Sequence, residues 1–230
     1  MKNNKLIGLL IFNLLFASCN NLPAFKKINP LIKELSILYN TSVEYEVGVQ
    51  IVEKRKYNFI KVRVKESDII KNYPDKHIPA SYISVFLAKK VDYGEYRIEF
   101  YNDKGVVSSI IYYNCDIERI LEKMNYFDEI NQIFLQQDYG KIYDLAHEEV
   151  KGNMSKEAFV KLILENDKKY GKVTKIITHG YRTIDRIHLK NNKFPVVGYY
   201  AIFRRKKGDI RTSIFINETN NKIISIKFDW

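Results

Sequence analysis

The sequence predicts an α+β protein of two small units, each an antiparallel sheet packed with helices. Three observations carry this reading. Apolar and charged residues alternate from Val43 to Lys65, and apolar positions alternate again at Tyr96, Ile98 and Phe100, the period of half-buried strands. From about Asp116 to Gln137 the apolar residues instead recur by threes and fours, the period of a helix. From Val173 to the end of the 230-residue chain the pattern is nearly all strand. With 46% hydrophobic residues, 17 Tyr and 13 Phe against only 10 Gly and 5 Pro, the composition supports packed cores and excludes a disordered chain.

The N-terminus is read separately. Lys2 and Lys5 precede an apolar run, Leu6 to Phe16, which is followed by Ala17, Ser18 and Cys19. The run is shorter than the ~20 residues a bilayer span needs. The pattern resembles a bacterial lipoprotein signal peptide, with Leu15-Phe16-Ala17-Ser18-Cys19 in the place of the lipobox and Phe16 where leucine is usual. The resemblance implies that residues 1–18 are removed and that Cys19 carries lipid. The rest then folds in the cell envelope, membrane-anchored and facing the periplasm or the exterior. Residues 19–30, with Pro23 and Pro30, read as a tether.

The first unit spans residues 31–115. Leu31, Ile32, Leu35 and Leu38 have helical spacing, with Pro30 in the first turn and the helix ending near Tyr39. Val43, Tyr45, Val47, Val49 and Ile51 then face one way, with Glu44, Glu46 and Gln50 opposite. Ile60, Val62 and Val64 alternate with Lys61, Arg63 and Lys65, and the short connection makes the pair an antiparallel hairpin. Residues 66–77 read as polar connection. A helix starts at Pro79 and buries Ile83, Phe86 and Leu87. A second hairpin turns at Asn102-Asp103-Lys104-Gly105.

The second unit spans residues 116–230. Its opening helix, carrying Ile117, Ile120, Leu121, Met124, Phe127, Ile130 and Phe134, is expected to form the seam between the units. A short helix lies around Ile142 to His147, and another starts at the N-cap Ser155 and ends at Gly171. Four strands follow, with Asn220-Asn221 as the last turn and Ile224, Ile226, Phe228 and Trp230 on one face. Helices followed by a strand meander, together with Phe134, Tyr139-Gly140-Lys141-Ile142-Tyr143, Ser155-Lys156-Glu157-Ala158-Phe159 and Gly171-Lys172-Val173, resemble small NTF2-like (cystatin-like) domains over residues 124–230. The resemblance implies a curved sheet wrapped by helices around a cone. It transfers no catalytic residue.

Function classes narrow by elimination. His147-Glu148-Glu149 lacks the second histidine of a zinc-protease helix, because Lys151 stands there. His179 and His188 sit at odd spacing, on opposite faces of an uninterrupted strand, and a bulge near Gly180 would change that. There is no nucleophile elbow and no phosphate-binding glycine loop. Neither a metal nor a cofactor is expected. With Cys19 lipidated, Cys115 has no partner for a disulfide and reads as a small buried hydrophobe after Ile110-Ile111-Tyr112-Tyr113. The net charge is +11, or +9 without Lys2 and Lys5. Its basic residues are spread along the chain, so nucleic acid is not an expected partner. The densest run, Arg204, Arg205, Lys206 and Lys207 at a hairpin tip, is the candidate for contact with anionic lipid or glycan. The expected function is a non-enzymatic binding or accessory role against another envelope component. The alternatives are an inhibitor or immunity protein against a secreted toxin or hydrolase, and small-molecule or enzymatic use of the cone.

Overall fold

The computed structural model describes residues 23–52, 55–189 and 192–228. The expected leader, Cys19 and Trp230 lie outside them. The chain forms two four-stranded sheets with helices packed against both, so the α+β class is the observed one.

Helix α1 (Pro23–Tyr39) starts seven residues before the expected Pro30, so part of the expected tether is helical. Its apolar stripe begins at the fully buried Ile28 and continues through Leu31, Ile32, Leu35 and Tyr39. That burial holds the helix together across Pro30, which removes one backbone donor. Strands β1 (Val43–Val52) and β2 (Arg55–Lys65) form the first hairpin, and β3 (Glu95–Asn102) and β4 (Gly105–Tyr113) the second. Both hairpins are antiparallel as expected. Where they meet, β2 and β3 run parallel, from Phe59 opposite Glu95 to Lys65 opposite Tyr101. The physical reason is the connection 66–94. It holds α2 (Asp68–Lys71) and α3 (His77–Ala88), which carry the chain back to the end where β2 began. The inner face of Ile60, Val62, Val64, Tyr96, Ile98 and Phe100 is fully buried. The outer face is ion-paired, with Lys61 3.1 Å from Glu99.

The second sheet is an antiparallel meander in the order β5 (Val173–Leu189), β6 (Asn192–Arg205), β7 (Ile210–Asn217) and β8 (Ile223–Phe228). Helix α4 (Asn114–Gln136) leads into this half, followed by α5 (Tyr139–Asp144), α6 (Glu148–Lys151) and α7 (Lys156–Tyr170). Arg119 on α4 ties the helix to the far ends of the sheet, 2.7 Å from Glu218 and 3.2 Å from Asp185.

The seam expected in α4 is shared with α3. Ile78, Ala80, Ile83, Val85 and Leu87 on α3 are buried, and so are Pro79, Ser81 and Ser84. Both serine hydroxyls are satisfied within the helix, donating to the carbonyls of Ile78 at 2.7 Å and Ala80 at 2.9 Å. Helix α3 packs on β5 as well as on β3 and β4, so a single hydrophobic core runs through both halves.

Cys115 corrects an expectation: it is exposed. The apolar run before it is β4, and the chain turns into α4 at Asn114. Cys115 therefore lies in the helix's first turn, pointing outward, and does not continue the strand's buried face.

Candidate functional site

The helix-covered side of the second sheet is filled with rings. Phe127 stacks on Tyr199 with centroids 4.8 Å apart, and Phe134 meets Phe203 edge-on at 4.9 Å. Phe134 also touches Phe228, and Tyr139 closes one end. Phe203 is fully buried. Phe159 is half-buried and leans on Tyr143. The space that remains lies at the edge, an apolar groove of about 290 Å³ lined by Ile142, Tyr143, Met154, Phe159, Leu162 and Ile226.

A smaller polar pocket of about 180 Å³ lies where α2 meets the second sheet, lined by Asn72, Tyr73, His179 and Arg211 with Ile69 and Ile202. The sheet register slips between Thr178 and Gly180, at the position where the sequence allowed for a bulge. His179 hydrogen-bonds Tyr73 through Nδ1. Burial first, then the nearby Arg211 and Arg204 charges, push the His179 pKa down from 6.5 to about 4. Burial pushes the Tyr73 hydroxyl up, so Tyr73 keeps its proton. We assign that proton as donated to Nδ1, which puts the imidazole proton on Nε2. The pocket thus presents a neutral imidazole N–H beside a guanidinium. A ring whose proton affinity is lowered this far is a weak base near pH 7.

This geometry has a measurable consequence. An NMR titration should place the His179 midpoint near 4, with the ring neutral from pH 5 to 8. The unfolded chain takes up this proton below ~6.5 and the folded chain only below ~4. Stability should therefore be complete above the higher value and fall by at most roughly 3 kcal/mol as the pH drops through that window. His179→Gln should remove that fall. A midpoint near 6.5 would show the ring open to water.

The third feature is a groove between α1 and α3. Ile37 is 72% and Leu38 41% exposed, beside the parallel rings of Tyr82 and Phe86, which are 6.1 Å apart. Tyr82 and Phe86 also line a cavity of about 220 Å³ over the seam, with Lys89, Met124 and Asp128 at its border. Tyr82 and Phe86 thus join the two hollows, one shared with Glu34 and the other with Lys89 and Asp128.

The basic run does not form one patch. Arg204 pairs with Asp209 at 3.2 Å. Arg205 turns inward, with a fully enclosed side chain, and pairs with Asp167. It also donates to the Gly171 carbonyl at 2.8 Å. The reason is strand parity, since Val197, Tyr199, Ala201, Phe203 and Arg205 share the buried side of β6. Lys206 and Lys207 remain exposed at the tip, so an anion approaching it meets them and not Arg205. His147 caps α6, accepting from the Glu149 N–H at 3.3 Å. Among the described residues no group of three His, Cys, Asp or Glu is placed to hold a metal.

No family model, no curated protein and no solved structure matches the chain.

Sequence reasoning missed the Tyr73–His179 pair, which spans 106 residues and lies partly in a stretch read as plain connection. It also missed the α1–α3 groove, because the exposed Ile37 and Leu38 look the same in sequence as the buried Leu31 and Leu35.

Proposed function

We propose that the protein is a lipid-anchored component of a bacterial cell envelope, held by Cys19, that binds another envelope protein and performs no chemistry of its own. The second half would follow an NTF2-like plan used for contact. The order of helices and then a four-stranded meander favours that plan, and so does the packing of aromatic rings between α4 and the sheet. The observation that carries the binding reading is the groove between α1 and α3. It joins exposed aliphatic residues to stacked aromatic ones beside Glu34, and apolar and aromatic groups of this kind anchor protein interfaces. A partner that is itself a secreted toxin or hydrolase would make the role inhibitory.

The test is affinity capture from envelope extract with the natively anchored protein, with Cys19→Ala and Ile37→Asp/Leu38→Asp variants beside it. A stoichiometric protein partner is expected, recovered with the parent chain and lost with the double aspartate variant. A blank capture would sink the reading. So would turnover of a substrate that a single substitution abolishes.

A further inference from the structure

We infer that the β1–β2 hairpin and the first turn of α1 rest together on an anionic lipid surface beside the anchor. This deepens the anchored reading and rests on it.

The argument starts from chain direction. Helix α1 and β1 are neighbours joined by residues 40–42, so α1 runs back over β1 from the strand's beginning. Two contacts set where its start lies: the Phe25 ring is 5.8 Å from Tyr45, the third residue of β1, and the Tyr45 hydroxyl donates to Asn29 at 2.6 Å. The chain toward Cys19 leaves from beside Tyr45. Six residues separate Cys19 from Phe25 and can span at most about 20 Å. Ile51, six residues beyond Tyr45 on β1, lies about 20 Å along the strand. Lipid on Cys19 would therefore keep Ile51 within reach of the bilayer.

The hairpin also stands clear of the sheet. Strand β3 joins β2 only from the Phe59–Glu95 pair onward, so β2 before Phe59 has β1 as its sole strand partner. A bare two-stranded ribbon is marginal in water. This one exposes aliphatic groups, with Val49 51% and Ile51 73% accessible on the face that α1 covers further back. Tyr57, 41% accessible, lies on the other face. Aliphatic side chains with a tyrosine suit the interface between headgroups and acyl chains.

Charge selects an anionic surface. Lys26 and Lys27 are exposed in the opening turns of α1, and its first turn holds no acidic residue. Cations are disfavoured there by the positive end of the helix dipole, and a negative surface would offset that penalty. Lys56 lies on the same face as Ile51, which it opposes across the ribbon.

The test supplies the attachment independently of Cys19. Residues 19–230 with Cys19→Ala and Cys115→Ser keep every described contact. Through an N-terminal histidine tag they are tethered to vesicles carrying chelator lipid. A polarity-sensitive fluorophore is placed at Ile51→Cys or, as a control at the opposite end of the first sheet, at Val107→Cys. On vesicles rich in phosphatidylglycerol the probe at 51 should shift to the blue and the probe at 107 should not. Lys26→Glu/Lys27→Glu should lower the lipid-inserted fraction at 51 roughly tenfold. Probes that stay equally aqueous would overturn the inference. An equal shift on neutral phosphatidylcholine would overturn the choice of an anionic surface. The anchor is checked separately, by the mass of the N-terminal peptide of the native protein. Missing lipid there would remove the anchored reading and leave the vesicle result standing.

Discussion

Gly180→Ala should destabilise the protein by about 3 kcal/mol or more, enough to lower its yield of folded chain. A Cβ built at Gly180 would lie 2.0 Å from the Ile78 carbonyl oxygen and 2.7 Å from its carbon. Both are backbone atoms in the first turn of α3, so no rotamer change relieves the clash. Moving α3 away would also break a buried relay. The Tyr181 N–H donates to the Ser81 hydroxyl at 2.7 Å, and Ser81 donates to the Ile78 carbonyl. Stranding those groups adds to the overpacking cost. Gly48→Ala is the natural control. Its Cβ would meet only the Phe59 ring on the outer face, and that ring can turn aside. Urea unfolding of the two variants checks this. A Gly180→Ala midpoint equal to that of the parent would mean that α3 does not sit on β5 as described.

Asp167→Ala should cost a comparable amount, about 3–5 kcal/mol, because it leaves the Arg205 guanidinium enclosed and uncompensated. One carboxylate oxygen of Asp167 takes Arg205 and the other takes the Tyr139 hydroxyl. Burial and then the hydrogen bond to Asp167 push that hydroxyl's pKa up. The arrangement joins α5, α7 and β6 at one point. Arg205 Nε and Nη2 have no hydrogen-bond partner among the described residues, so the guanidinium depends heavily on Asp167. Replacing both partners, as Asp167→Leu/Arg205→Met, should cost far less than Asp167→Ala alone. Denaturant midpoints of the two single variants and the double variant close the cycle. Equal losses in all three would show that the charge pair is not the reason.

Much of this fold was legible because its strands are half-buried, so one face carries the signal. The alternation at Val43–Lys65 and the helical spacing from Ile117 to Phe134 both survive in the structure. Local chemistry was also legible. Ser155 caps α7 by accepting from the Ala158 N–H, Gly171 ends the helix at φ +87°, and Asn221 takes a left-handed turn at φ 56°. Pairing across distance was not. Nothing in residues 55–65 distinguishes a parallel neighbour from an antiparallel one, because direction is set by what the connection 66–94 becomes. Proline misled at α1, since Pro30 looks like a helix start and the buried Ile28 before it is one residue without a period. Arg205 could have been found. The every-second-residue burial of β6 runs through it, and Asp167 is one turn beyond Ile163 on the inner side of α7. Charge density in the four-residue run obscured that parity.

Helix α3 has a consequence for the order in which the protein can be made. Its residues precede the first half's second hairpin, yet one side of it is covered only when β5 arrives, roughly 90 residues later. At a synthesis rate of ~5–20 residues per second, that side stays bare for about 5–18 s after Ala88 has emerged. The N-terminal segment alone is thus a sticky intermediate. A chain stopped before Gly180 would be a substrate for chaperones and proteases, not a smaller version of the same protein.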